Sequence, residues 1–264
     1  MDQFQKQSST QHESHSTVQK QEEAIDCWRY GQVTSAPLNV RKQPSLSAPR
    51  WNNVWPINRI ALIKPAADGW YETLYRGEQA FVSAKFVRPL SYPMTDRIVD
   101  RMFFMAIPEV GRDKSIYFNG YNGKWCHRFA DWLPMHAGMP KERIPNTSNC
   151  GAGIVWFCTD AYSSGYYFQN AEHKARMIRA YPELKQIQPA LTEEEKTYIP
   201  APGDYIYYRW RNAPAGVNVS HVGIVWKATD EEVFTVEGNV NGQVGLRKRS
   251  LSDPCIVGYG KPNY

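Results

Sequence analysis

Apolar residues in the second half of the chain recur with two different periods. From Cys126 they fall at Cys126, Phe129, Ala130 and Leu133, the i, i+3, i+4, i+7 spacing that predicts the opening turns of a helix with Cys126 at its N-terminus. An interior proline costs about 3 kcal/mol, so Pro134 predicts a stop or kink near Leu133, short of Gly138. The run Cys150-Gly-Ala-Gly-Ile154-Val-Trp-Phe157-Cys158 predicts a buried helix face on which both cysteines are small core residues. His221-Val-Gly-Ile-Val-Trp226 and Glu232-Val-Phe-Thr-Val-Glu237, parted by a polar stretch with Asp230 and Glu231, predict a β-hairpin.

The pattern is different nearer the start. Residues 26 to 90 hold short β-like runs broken at Pro37, Asn39, Pro44, Asn52-Asn53, Asp68-Gly69 and Gly77, spacing that predicts a small, separate all-β barrel. Ser91 to Thr95 reads as a linker, and Asp96 to Ala106 as the helix that opens a second domain, residues 96 to 264. Residues 1 to 25 are rich in Gln, Ser and His without apolar periodicity; they predict a flexible tail in which His12 and His15 are solvated.

At 264 residues and 42% hydrophobic content, the chain has room for two modest domains. It holds five cysteines, at 27, 126, 150, 158 and 255, with no paired metal spacing, and the odd number suits a reduced compartment. No apolar run matches a signal h-region or a spanning helix, so the expectation is a protein made without a signal peptide or integral membrane segment. The net charge of +5 is uneven: residues 26 to 90 carry nine Lys or Arg against four Asp or Glu, and residues 96 to 264 only about +2. Such a surface attracts an anionic polymer, and no nucleic-acid motif accompanies it. Trp51, Trp55, Trp70, Tyr71 and Tyr75 are candidates for stacking on a ligand, with about half of them expected in the barrel core.

Candidate chemistry centres on Cys126, His221, Glu237 and Asn239. A thiol of ordinary pKa is only a few per cent thiolate at neutral pH, and a nearby imidazole raises that fraction. A carboxylate or amide on the second imidazole nitrogen fixes its tautomer and steadies the imidazolium. Helix N–H groups beside Cys126 favour a thiolate and can receive an oxyanion, while Trp125 walls the thiol from water. In the hairpin, an odd-numbered loop centred on Asp230 sets His221 opposite Asn239 with Glu237 diagonal on the same face. A two-residue loop at Thr229-Asp230 turns both partners away, so this site requires the odd loop or a bulge.

These residues, in this order, resemble the CHAP family of cysteine, histidine-dependent amidohydrolases and peptidases. KWCHRFADWLPMHAGMP looks like its Trp-Cys helix, PAPGDYIYY like its Pro-Gly-Asp lead into the central sheet, SHVGIVW like its histidine strand, TVEGN like its Glu and Asn segment and CIVGYGKPNY like its last strand. Across residues 96 to 264 the resemblance implies a papain-like α+β fold and cleavage of an amide bond in bacterial peptidoglycan, without a cofactor. It casts Cys126 as nucleophile, His221 as base and then acid, Glu237 as its orienting partner and Asn239 as an accessory polar group. His127 stands where the family has a small residue and is expected at the surface. Some relatives carry an aspartate-rich calcium loop, but SIYFNGYNGKWC has no carboxylate, so no metal is expected. APLNVRKQPS and DGWYETLYRGEQAFVSAKFV are similar to a bacterial SH3-like domain, with Phe81 where a tryptophan is usual; the similarity implies wall binding in which Trp51, Trp70 and Tyr71 serve.

The expected protein is a monomeric, endolysin-like hydrolase. It would stay in the cytoplasm of an infected host until lysis and act on the wall as an amidase or endopeptidase. Two alternatives differ in class: an NlpC-type peptidase, which uses a second histidine that this chain lacks after His221, and an inactive wall-binding or phage structural module.

Overall fold

The computed structural model describes residues 29–34, 38–54, 59–75, 78–93, 95, 97–114, 118 and 120–264. The tail 1–25, Trp28, Pro37, Trp55 and Gly77 lie outside the described residues.

The first lobe contains β1 (Arg29–Val33), β2 (Leu38–Arg41), β3 (Arg50–Val54), β4 (Arg59–Leu62), β5 (Lys64–Pro65), β6 (Trp70–Tyr75), β7 (Glu78–Ser83) and β8 (Val87–Pro93). They form two antiparallel sheets, β4-β1-β8 and β3-β2-β7-β6-β5, and among the described residues the pairings do not close into the single barrel expected from the sequence. Asn52-Asn53, expected in a turn, lies inside β3, where Asn53 pairs with Asn39. Ser91 to Pro93, expected in a linker, extend β8, with Pro93 paired to Arg29. The Asp68-Gly69 turn is present, Gly69 taking φ +75, a conformation that costs glycine nothing.

The second lobe runs α1 (Ile98–Ala106), α2 (Cys126–His136), α3 (Cys150–Thr159), β9 (Ser163–Phe168), α4 (Ala171–Ala180), α5 (Glu193–Thr197), β10 (Tyr205–Tyr208), β11 (His221–Ala228), β12 (Glu232–Val240), β13 (Gln243–Ser250) and β14 (Ile256–Pro262). Its six strands make one antiparallel sheet, ordered β13-β12-β11-β10-β14-β9. Alternation along β10 divides two cores. Tyr205 and Tyr207 join the large core with Phe129, Leu133 and Phe157, while Ile206 and Tyr208 pack with Val225, Val233, Ile256 and Tyr259. The molecule is a mixed α and β protein, and among the described residues every strand pairing is antiparallel. Among the described residues, no helix is long and apolar enough to cross a membrane.

The large core is continuous between the lobes, running from Tyr30, Ile60 and Val82 to Met102, Phe129 and Val257. Tyr30 stacks on Phe104 at 4.0 Å, Arg59 donates to the Phe104 carbonyl at 3.0 Å, and Tyr75 meets His136 of α2 edge-on at 5.8 Å.

Helix α2 does not stop at Leu133 but continues through Pro134 to His136. Proline lacks the N–H that would bond the Ala130 carbonyl four residues back. That carbonyl instead accepts the Tyr205 hydroxyl at 3.2 Å, so tertiary packing supplies the missing partner.

Candidate active site

Cys126 is the first residue of α2 and is 2% exposed, with Trp125 capping the helix and buried beside it. Trp125 gives the first-turn N–H groups no side-chain cap, so they can serve an anion at the thiol. His221 opens β11, and Glu237 stands on the neighbouring β12.

A bulge decides how these two strands meet. Near the turn Ala228 pairs with Val233 and Lys227 with Phe234, but past Trp226 the register shifts by one to Val225 with Thr235 and Ile224 with Val236. Continued toward the strand start, the shifted register brings Glu237 onto the face of His221; without the extra residue it would point to the opposite face. Gly223 makes room for the carboxylate, since a Cβ there would lie 2.6 Å from Glu237 Cγ.

His221 Nε2 donates to Glu237 Oε2 at 2.8 Å. Glu237 Oε1 accepts the Thr235 hydroxyl at 2.6 Å and the Tyr208 hydroxyl at 3.3 Å, so both carboxylate oxygens are engaged in a buried position. Burial alone would raise the Glu237 pKa, but the bonds from His221 and Thr235 and the charges of His221 and Arg249 outweigh it and hold the group below the ordinary carboxyl range. Tyr208 stacks along His221 at 6.0 Å and Trp210 lies 5.5 Å from the same ring, screening the ion pair from water.

With Nε2 held by Glu237, Nδ1 is the imidazole nitrogen left to act on the Cys126 thiol, and the two groups shift each other's pKa. The Cys126 pKa is lowered to about 4: a hydrogen bond from Cys150 has the largest effect, burial opposes it, and the bond and charge of His221 add to the lowering. Burial would depress His221, but its bonds to Cys126 and Glu237 and the charges of both raise it to about 9. At neutral pH the pair is therefore a thiolate and an imidazolium.

The other sequence candidates separate. Asn239 is half-buried in a second irregularity, between Glu237 and Val240, at φ +66. It lines a cleft of about 540 Å³ with Trp125, Asn122, Lys124, Asp113 and Gly242. Trp51, Trp70 and Tyr71 lie on the first lobe and are half-buried; Trp51 packs against Tyr75, with Lys42 4.4 Å above its ring. His127, expected at the surface, is wholly buried and bonds Asp131 at 3.1 Å and the Tyr207 hydroxyl at 2.9 Å. Asp131 also accepts from Tyr205 and from the Thr147 N–H, a buried network that ties α2 to β10. Cys150 and Cys158, expected together on a buried helix face, are both half-buried, and Cys150 Sγ sits 3.8 Å from Cys126 Sγ.

Sequence reasoning missed Cys150, Tyr208, Trp210 and Thr235. Only Thr235 carried a local signal, two residues before Glu237 on the same strand face; the others reach the site through contacts that linear spacing does not encode. Among the described residues no group of three or more His, Cys, Asp or Glu side chains could hold a metal ion.

No family model and no curated protein matches the chain. Among solved structures it is similar to NlpC1 of Trichomonas vaginalis, at 15% identity and TM-score 0.34 over 90% of this chain and 69% of that one. It is similar also to NlpC2 of the same organism, at 13% identity and TM-score 0.34 over 89% of this chain and 72% of that one. Both are distant likenesses.

Proposed function

We propose that the protein is a cysteine-dependent hydrolase that cleaves an amide bond of bacterial peptidoglycan, with Cys126 as nucleophile, His221 as general base and acid, and Glu237 as the residue that orients His221. The observation that carries this reading is the 2.8 Å bond from His221 to Glu237, which leaves the other imidazole nitrogen for a thiol lowered to about 4. The wall as substrate is supported by the Trp-Cys, Pro-Gly-Asp, His-strand and Glu-Gly-Asn segments and their likeness to CHAP domains. A helix carrying the thiol and an antiparallel sheet carrying the histidine fit the papain-like scheme.

In this scheme the Cys126 thiolate attacks the scissile carbonyl carbon, and the oxyanion is received by N–H groups at the start of α2. The His221 imidazolium gives its proton to the departing amine as the C–N bond breaks, leaving a thioester on Cys126. His221 then takes a proton from water, whose hydroxide attacks the thioester; the carboxylic product leaves and the thiolate and imidazolium are restored. Glu237 stays ionised throughout and holds the imidazole in place. Trp125, Asn239 and Lys124 line the cleft that would seat the substrate.

The first lobe would hold the enzyme on its insoluble substrate. Its net charge of about +5 suits an anionic envelope polymer, and its Gly-Trp-Tyr strand and aromatic-Val strand support the SH3-like reading. An NlpC-type peptidase would run the same thiol–imidazole chemistry and is the second reading.

Mass spectrometry of muropeptides released from purified Gram-positive walls by wild type and by Cys126→Ala tests the assignment. Free glycan with intact stem peptides identifies an amidase, and cut stems or cross-bridges a peptidase. If wild type released no more muropeptide than Cys126→Ala while still sedimenting with walls, the protein would be a binding module.

A further inference from the structure

Two cysteines 24 positions apart meet at the proposed nucleophile. Cys126 opens α2, Cys150 opens α3, and their sulfurs are 3.8 Å apart, close enough for the Cys150 thiol to donate to a Cys126 thiolate. The fold builds this approach. Asn149 caps α3 by accepting from the Gly151 and Ala152 N–H groups at 2.8 and 3.1 Å, which anchors the backbone at Cys150. One turn on, Gly153 has no Cβ to strike His127 Nε2 and the Tyr207 hydroxyl, so α3 closes directly onto the first turn of α2.

The two sulfurs have opposite character. Cys126 is held as thiolate, whereas Cys150 is kept protonated by its bond to Cys126 and by burial. Cys158, on the same helix, is pushed by burial up to about 12. A low-pKa thiolate is the form that peroxides oxidise, and a neighbouring thiol resolves the product. The sulfurs lie 3.8 Å apart and a disulfide needs them at about 2.05 Å, so forming the bond asks for a closure of roughly 2 Å.

We propose that Cys126 and Cys150 are a redox couple, in which a peroxide joins them as a disulfide that silences the Cys126 nucleophile until a thiol reductant reopens it. The chemistry balances in two steps. The Cys126 thiolate attacks one peroxide oxygen and the O–O bond breaks; with one proton, hydrogen peroxide yields a Cys126 sulfenic acid and water. The Cys150 sulfur then attacks the Cys126 sulfur, the S–O bond breaks, and hydroxide leaves with the Cys150 proton as a second water. Each sulfur is oxidised by one electron overall, and both peroxide oxygens are reduced. An external dithiol reverses the bond by thiol–disulfide exchange. Loss of hydrolysis rests on the assignment of Cys126 as nucleophile; formation of the bond does not.

The test is peroxide treatment of the reduced full-length protein, alkylation, and digestion without reductant. Trypsin releases Cys126 in Trp125–Arg128, and chymotryptic cleavage at Trp156 or Phe157 separates Cys150 from Cys158. The expected product is a Cys126–Cys150 linked peptide, formed equally by Cys158→Ser and lost on dithiothreitol treatment. In Cys150→Ser the same treatment should carry Cys126 on to sulfinic acid, for want of a resolving thiol. Cys126 sulfinate in wild type with Cys150 still open to alkylation, a link to another cysteine, or Cys126 unchanged would each overturn the proposal. Wall hydrolysis measured in parallel should fall about 10-fold or more as the linked peptide accumulates, because a disulfide sulfur is no nucleophile, and should return with reductant. A reversible link in a protein that never cuts walls would uphold the couple and defeat the hydrolase reading; hydrolysis without the link would do the reverse.

Discussion

Glu237 holds His221 from the adjacent strand, Oε2 to Nε2 at 2.8 Å, while Thr235 and Tyr208 occupy its other oxygen. The carboxylate is thus fixed before any substrate arrives, and the imidazole has one orientation available. Glu237→Gln keeps the shape but removes the charge that steadies the imidazolium. We expect kcat/KM on a soluble muropeptide to fall by roughly 10² to 10⁴, the scale of losing the orienting acid in a catalytic triad. Sedimentation with walls should be unchanged. A Glu237→Gln protein within twofold of wild type would remove Glu237 from the mechanism.

In the proposed reaction the thiolate and imidazolium set the pH range of activity. Below about 4 Cys126 gains its proton and loses nucleophilicity, and above about 9 His221 loses the proton it must give to the leaving amine. A kcat/KM profile should therefore rise through the first value and fall through the second, both belonging to the coupled pair. In Cys150→Ala the acid limb should move up, because the Cys150 hydrogen bond is the largest effect lowering Cys126. An unmoved acid limb would show that Cys150 does not bond the thiolate.

Tyr205 carries the continuation of α2 past its proline. Its hydroxyl serves both the Ala130 carbonyl at 3.2 Å and Asp131 Oδ1 at 3.1 Å, in a wholly buried setting. Tyr205→Phe leaves that carbonyl unpaired away from water, which costs about 1 to 3 kcal/mol. Urea denaturation should show the loss as a lower midpoint with an unchanged slope. Equal stability would mean that Ala130 finds another donor.

The proposed wall binding is best tested by charge. The lobes share an apolar core, with Tyr30 and Arg59 meeting Phe104 of α1 and Tyr75 meeting His136 of α2, so removing the first lobe would expose those faces of α1 and α2. Lys42, Lys85 and Arg88 are exposed on the first lobe. Reversing all three to Glu should weaken sedimentation with walls at low salt, with the difference shrinking as added salt screens the surface. Binding that is equally tight at every salt concentration would remove the electrostatic part of the targeting proposal.

The residue types by themselves determined much of this protein. The period-3.6 run at Cys126 marked a helix that begins at the thiol, and the alternating runs around Thr229 to Glu231 marked the hairpin that brings His221 to Glu237. Those patterns are local: a helix or strand face must repeat at its own period whatever packs against it. Tertiary structure decided what local periods leave open. The bulge at Trp226 set which face Glu237 occupies, a one-residue choice the hydrophobic pattern left to the turn. Tyr205 let α2 run through Pro134 by supplying a donor from β10, 71 positions away in the chain. His127 was drawn inside because Asp131 and Tyr207 satisfy both of its nitrogens, which removes the usual penalty for burying a polar ring. Cys150 met Cys126 because a glycine let two helices touch, a contact made by the absence of a side chain and therefore carrying no pattern of its own.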